Sequence, residues 1–125
     1  MKKALLEFLA VGLAGAFGAM LRFAIGRIFT WSAFPIGTLL INLSGSLFLG
    51  WFLTVVGDRL VVGDLVRVGI AVGFVGAYTT FSTYMFESDR MLQDGLSLRA
   101  MGYLVGSLVL GLVAVRMGIM LGRRT

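Results

Sequence analysis

Apolar residues run along this chain in four long blocks separated by three short polar links. The blocks cover roughly residues 4–28, 36–56, 65–86 and 98–121. Each supplies the about 20 mainly apolar residues that a helix needs to cross hydrocarbon. The pattern therefore predicts an all-α membrane protein: one domain over residues 1–125 with four transmembrane helices. The links are "TWSAFP", which holds the only proline, then "GDRLVVGD" and the charged "ESDRMLQDG". All are short, so no appended soluble module is expected. The first block is followed by further long ones rather than by a cleavage site and a soluble domain, so Met1 onward is expected to stay in the mature chain.

Composition agrees with the pattern and narrows the chemistry. Of 125 residues, 58% are hydrophobic and 14% charged, whereas a soluble domain carries about a quarter charged residues. Cysteine and histidine are both absent, which excludes disulfides, thiolate chemistry and imidazole proton relays. No enzyme activity is expected. The net charge of +5 arises largely at the ends of the apolar blocks, where Lys2, Lys3, Arg123 and Arg124 can meet anionic lipid headgroups. No basic patch is interleaved with aromatics in the way nucleic-acid binding needs.

Four helices place both termini on one side. That side, with the second link, holds Lys2, Lys3, Arg59, Arg67, Arg116, Arg123 and Arg124, against Arg22, Arg27, Arg90 and Arg99 on the other. Orientation follows the lysine and arginine bias of short loops, so this weak slant permits insertion both ways. Glycines at small-xxx-small spacing, Gly69 with Gly73, Gly102 with Gly106 and Gly118 with Gly122, predict close helix packing in lipid.

Polar residues within the blocks carry the candidate chemistry. Asn42 lies mid-helix with Thr38 and Ser46 one turn to either side, on one face. An unsatisfied amide in hydrocarbon is costly, so this face looks at another helix or at water, as interhelical glue or as a binding group. In the third block Gly73 and Gly76 precede Thr79, Thr80, Ser82 and Thr83, residues that weaken a helix through backbone freedom and competing hydroxyls. Two readings stand: a break whose freed carbonyls line a cavity and can hold a cation, or a hydroxyl-rich helix bonded to its own carbonyls. Phe81 and Tyr84 share a helical face, and the positive edges of their rings can favour an anion without a fixed charge. Tyr103 and Ser107 form another polar pair one turn apart, as pore lining or as glue. Arg22 lies inside the first helix and Glu87 at the end of the third, while Glu7 is too close to the N-terminus to carry protons at mid-membrane.

"GAMLRF" with Arg22, "GTLLINLSG" with Asn42 and "GAYTTFSTY" running towards Glu87, on four short helices, resemble the CrcB/Fluc family of bacterial fluoride channels. The resemblance covers nearly the whole chain. It implies a third helix broken at mid-membrane and a dual-topology homodimer whose antiparallel subunits enclose two pores. It further implies a multi-pass protein of the bacterial inner membrane that passively exports fluoride and lowers its toxicity. On that resemblance Asn42 donates to fluoride, Phe81 presents its ring edge, and Ser82 or Thr83 with Thr38, Tyr103 and Ser107 form a polar track. The family's other phenylalanine falls at Tyr84, which keeps the aromatic face and adds a hydroxyl. A structural sodium ion on backbone carbonyls at the dimer centre corresponds to Gly76 and Thr79. Arg22 corresponds to a vestibule or anchoring residue, with Glu87 near the other end. The physics fits: a selective fluoride pore must replace tightly held water with donors and ring edges, yet release the ion.

Two other classes share some of these features. A small multidrug exporter has four helices in a chain of this length, but couples to protons through a carboxylate deep in its first helix, where this chain has only Glu7. A purely structural subunit needs no aligned polar faces on three helices.

Overall fold

The computed structural model describes residues 1–30 and 34–125. The centre of the "TWSAFP" link, Trp31 to Ala33, lies outside the described residues. Helix α1 spans Lys2–Ile28 and α2 spans Ile36–Asp58. The third crossing is segmented: α3 (Asp64–Val68) leads into a π-helical stretch (Gly69–Val75), then a single turn α4 (Gly76–Tyr78) and α5 (Phe81–Gln93). Helix α6 spans Ser97–Arg124. Four stretches, Lys2–Ile28, Ile36–Asp58, Asp64–Gln93 and Ser97–Arg124, are long and apolar enough to cross a membrane. At 1.5 Å per residue, the 27 residues of α1 extend roughly 40 Å, against about 30 Å of hydrocarbon. Large apolar side chains such as Phe8, Leu13, Phe17 and Phe23 of α1 and Leu108 and Leu112 of α6 are exposed, as suits helices solvated by lipid or by a further subunit.

The charged "ESDRMLQDG" segment, expected as a link after residue 86, is helical through Gln93. Tyr84, Ser88 and Met91 fall on one buried face while Asp89 and Arg90 point outward, so the segment is amphipathic rather than irregular. It ends at Gly95, whose φ of 76° reverses the chain, with Gly95 N bonded to Leu92 O at 3.1 Å and Leu96 N to Met91 O at 2.8 Å.

Two backbone-close seams hold the bundle together. Helix α1 lies against the π-helical stretch, where a Cβ on Gly18 would overlap the Phe74 carbonyl and one on Gly73 would come within 2.6 Å of Val11 O. Helix α2 packs most extensively on α6, where Gly118 meets the Leu47 backbone and Gly122 meets Thr54 and Trp51. Of the small-residue pairs, Gly69–Gly73 and Gly118–Gly122 are at such seams; a Cβ on Gly102 or Gly106 would meet nothing within 4 Å among the described residues. An aromatic core of Tyr84 and Tyr103, with Phe34 just before α2 and Leu39 of α2 packed on it, joins α5 and α6 to α2.

Candidate functional site

The helical backbone of the third crossing is interrupted at two residues. Thr79 (φ −78°, ψ 157°) and Thr80 (φ −148°, ψ 118°) are both extended, and helix resumes at Phe81. Local chemistry holds this interruption. Thr80 caps α5: its Oγ1 accepts from Thr83 N at 3.2 Å and donates to Thr83 Oγ1 at 3.0 Å. Thr79 N and Oγ1 both donate to Val75 O, at 2.9 Å each. Across from them, the Asn42 amide grips the Thr80 backbone with two hydrogen bonds, Nδ2 to Thr80 O at 3.0 Å and Thr80 N to Oδ1 at 2.8 Å. Only this orientation of the amide makes both bonds, so its oxygen and nitrogen are assigned.

The grip has two consequences. Asn42 keeps one Nδ2–H without a partner among the described residues. The Thr80 amide, which would otherwise close an α-turn on the Gly76 carbonyl, is directed to Asn42, and the Thr83 amide, which would close on the Thr79 carbonyl, is directed to Thr80 Oγ1. The Gly76 and Thr79 carbonyls thus lose their α-helical donors.

A cavity of about 430 Å³ opens beside the interruption, between α2, α5 and α6. Asn42 and Ser46 of α2, Thr79 and Thr80, Phe81 and Tyr84 of α5, and Ser107 of α6 contribute its polar and aromatic wall. Phe81 and Tyr84 meet edge to face, with centroids 5.9 Å apart. Tyr84 is buried and its hydroxyl donates to Leu104 O at 2.5 Å, which directs the oxygen into α6. Phe81 is 69% exposed, so its ring is uncovered within one chain. Ser107 Oγ is buried and has no hydrogen-bond partner among the described residues. A buried hydroxyl left so costs about 1–3 kcal/mol, which favours a polar occupant beside it.

A second polar cluster lies one helical turn along from Asn42 and Ser107. Thr38 Oγ1 donates to Glu87 Oε1 at 2.8 Å and Tyr103 OH to Glu87 Oε2 at 2.9 Å. Thr38 and Glu87 also line a cavity of about 500 Å³ that includes Arg90 and Asp94. The polar positions of α2 (Thr38, Asn42, Ser46) and α6 (Tyr103, Ser107) therefore run alongside α5 as a track, with Glu87 at one end.

Of the residues singled out from sequence, Asn42, Phe81, Tyr84 and Ser107 share the first cavity, joined by Thr79. Thr38, Tyr103 and Glu87 share the second cluster. Ser82 and Thr83 are exposed and do not line the first cavity; Thr83 serves the cap instead. Gly76 begins α4, and Arg22 is half-buried on α1 with no ion pair among the described residues. Glu7 is at the N-terminal end of α1, 3.9 Å from Lys3, which also pairs with Asp64 at 2.7 Å. Sequence reasoning missed Thr80 as the partner of Asn42; its signal was a threonine three residues before Thr83 at a helix start. It also missed Tyr78, whose hydroxyl lies 2.8 Å from Ser44 Oγ.

Four helices long and apolar enough to cross a membrane, with a partly polar cavity between α2, α5 and α6, fit a multi-pass membrane protein. Residues 9–119 match the family model described as "CrcB-like protein, Camphor Resistance (CrcB)", and the chain belongs to that family. Curated relatives include the "Fluoride-specific ion channel FluC" of Chloroflexus aurantiacus, 45% identical over 94% of this chain and 95% of its own length. The protein of the same description from Aquifex aeolicus is 39% identical over 90% of this chain and 94% of its own. That from Acidobacterium capsulatum is 38% identical, over 95% and 98%.

Proposed function

We propose that this protein is a fluoride-selective passive channel of the bacterial plasma membrane. It carries fluoride out of the cytoplasm as an antiparallel, dual-topology homodimer with two pores. The observation that carries this reading is the meeting, on one cavity, of a partnerless Asn42 N–H, the orphaned Ser107 hydroxyl and the Phe81 and Tyr84 rings. These are the groups that replace the water of a small, strongly hydrated anion: neutral donors and positive ring edges, with no cation to trap it. The uncovered Phe81 ring and the openness of the cavity to the surface support a second subunit that completes the pore. The descriptions of the relatives support fluoride as the ion.

At the Glu87 end, the Thr38 and Tyr103 hydroxyls donate to the carboxylate, so an arriving fluoride competes with Glu87 for the same hydrogens. Arg22 is assigned to a vestibule or to anchoring. Sodium at the dimer centre would be held by the Gly76 and Thr79 carbonyls, which lack α-helical donors because the Thr80 and Thr83 amides donate to Asn42 Oδ1 and Thr80 Oγ1 instead. When bound there it would supply positive potential without a titratable group. A proton-coupled exporter is disfavoured, because Glu7 is at a helix end beside Lys3 rather than deep in the bundle.

Variants of Tyr84 test the ring-edge part of the reading. Because the hydroxyl is held by Leu104 O, the surface offered to the cavity is phenyl-like. Tyr84→Leu removes the ring and lowers initial fluoride efflux from proteoliposomes by about tenfold, the scale of one aromatic contact, and Tyr84→Phe recovers most of that loss. Equal efflux from the leucine and tyrosine proteins would remove Tyr84 from the ion path.

A further inference from the structure

Tyr78 is the last helical residue before the interruption and is only 8% exposed. Its ring crosses α2 at Gly45, where a Cβ would lie 3.2 Å from Tyr78 Cδ1 and would overlap the Thr79 methyl. The other face of the ring stacks on Phe74, at 6.0 Å and 6°, and Phe74 is edge-on to Phe48 of α2. The hydroxyl then reaches Ser44 Oγ at 2.8 Å. With the single Ser44 hydroxyl hydrogen given to Leu40 O at 2.7 Å and the Tyr78 O–H donating to Ser44 Oγ, both hydroxyl hydrogens find an acceptor, and that arrangement is the one assigned.

Helix α2 therefore holds the chain on both sides of Thr79: one residue before it, through Ser44 and Tyr78, and one residue after it, through Asn42 and Thr80. Thr79 sits between the two holds, with its amide and hydroxyl tied to Val75 O and its carbonyl without an α-helical donor. We propose that the Tyr78–Ser44 hydrogen bond is a positioning contact: it fixes the extended turn at Thr79–Thr80, and through it the Asn42 amide and the Phe81 ring. Neither residue touches the ion. The inference rests on the channel reading above for its effect on flux, but its structural half is measurable without conduction.

The test compares Ser44→Ala, Tyr78→Phe and the double variant, each as the whole reconstituted protein, by hydrogen exchange of the Thr80 amide and by fluoride efflux. Thr54→Val, which deletes an α2 hydroxyl bonded only to its own helix at Gly50 O, is the control for hydroxyl loss. Each single variant is expected to speed Thr80 exchange and slow efflux by about two- to tenfold, the scale of one net hydrogen bond. The double variant goes no further than either single one, and Thr54→Val matches the native protein. Thr80 exchange at the native rate in Tyr78→Phe overturns the inference, as does a double variant whose loss is the product of the two single losses. A native protein that conducts no fluoride removes the channel reading, and the exchange measurement still decides the positioning contact.

Discussion

Asn42→Asp abolishes fluoride conduction. The substitution is nearly isosteric but changes both things the amide does. In the native chain Nδ2 donates to Thr80 O while Oδ1 accepts from Thr80 N. A carboxylate keeps the second bond and sets an oxygen against the Thr80 carbonyl, so the grip on the extended turn is lost on one side. The cavity also gains a fixed negative charge and loses its free N–H. Two unit charges about 4 Å apart repel by roughly 4 kcal/mol at the effective dielectric of a partly wet site, which lowers anion entry by about a thousandfold. Efflux from reconstituted vesicles reads this directly, and efflux within twofold of the native rate would remove Asn42 from the ion path.

Gly118→Ala is the most destabilising of the single-methyl changes. A Cβ there would overlap the Leu47 carbonyl and approach Trp51 N to 2.8 Å, and neither backbone atom can yield without separating α2 from α6. Overpacking of this kind costs about 3 kcal/mol, more than the about 1 kcal/mol that alanine gains over glycine in helix propensity. Separation of that pair also moves Asn42 and Ser46 away from Ser107, so lowered thermal stability in detergent accompanies lowered flux. Gly12→Ala is the control, since nothing among the described residues lies within 4 Å of its added methyl, and it unfolds no more easily than the native protein. Equal unfolding temperatures for the two variants would contradict the packing account.

The four crossings were legible because the bilayer fixes their length and polarity, and the described helices lie within a few residues of the apolar blocks except at the end of the third. There the charged residues looked like a link, but at a membrane surface an amphipathic helix can bury Tyr84, Ser88 and Met91 and solvate Asp89 and Arg90. The threonine-rich stretch left a break and a self-bonded helix as alternatives; in the structure Thr79 bonds back to Val75 O, and Thr79 and Thr80 are extended. Asn42 stood out as a mid-membrane amide, but its partner is a backbone nearly forty residues away, and only tertiary packing selects it. The π-helical stretch had no signature, since its residues also suit an α-helix; the structure places it where Gly73 meets the α1 backbone. The Tyr84 hydroxyl was equally ambiguous, because its acceptor depends on where α6 lies.

Passive, selective fluoride conduction is read by efflux from proteoliposomes loaded with potassium fluoride and triggered with valinomycin, beside a matched potassium chloride preparation. Rapid fluoride loss with negligible chloride loss, and no need for a proton gradient, is the expected result. No fluoride loss from the folded, reconstituted protein, or chloride loss at the same rate, would contradict the proposed function.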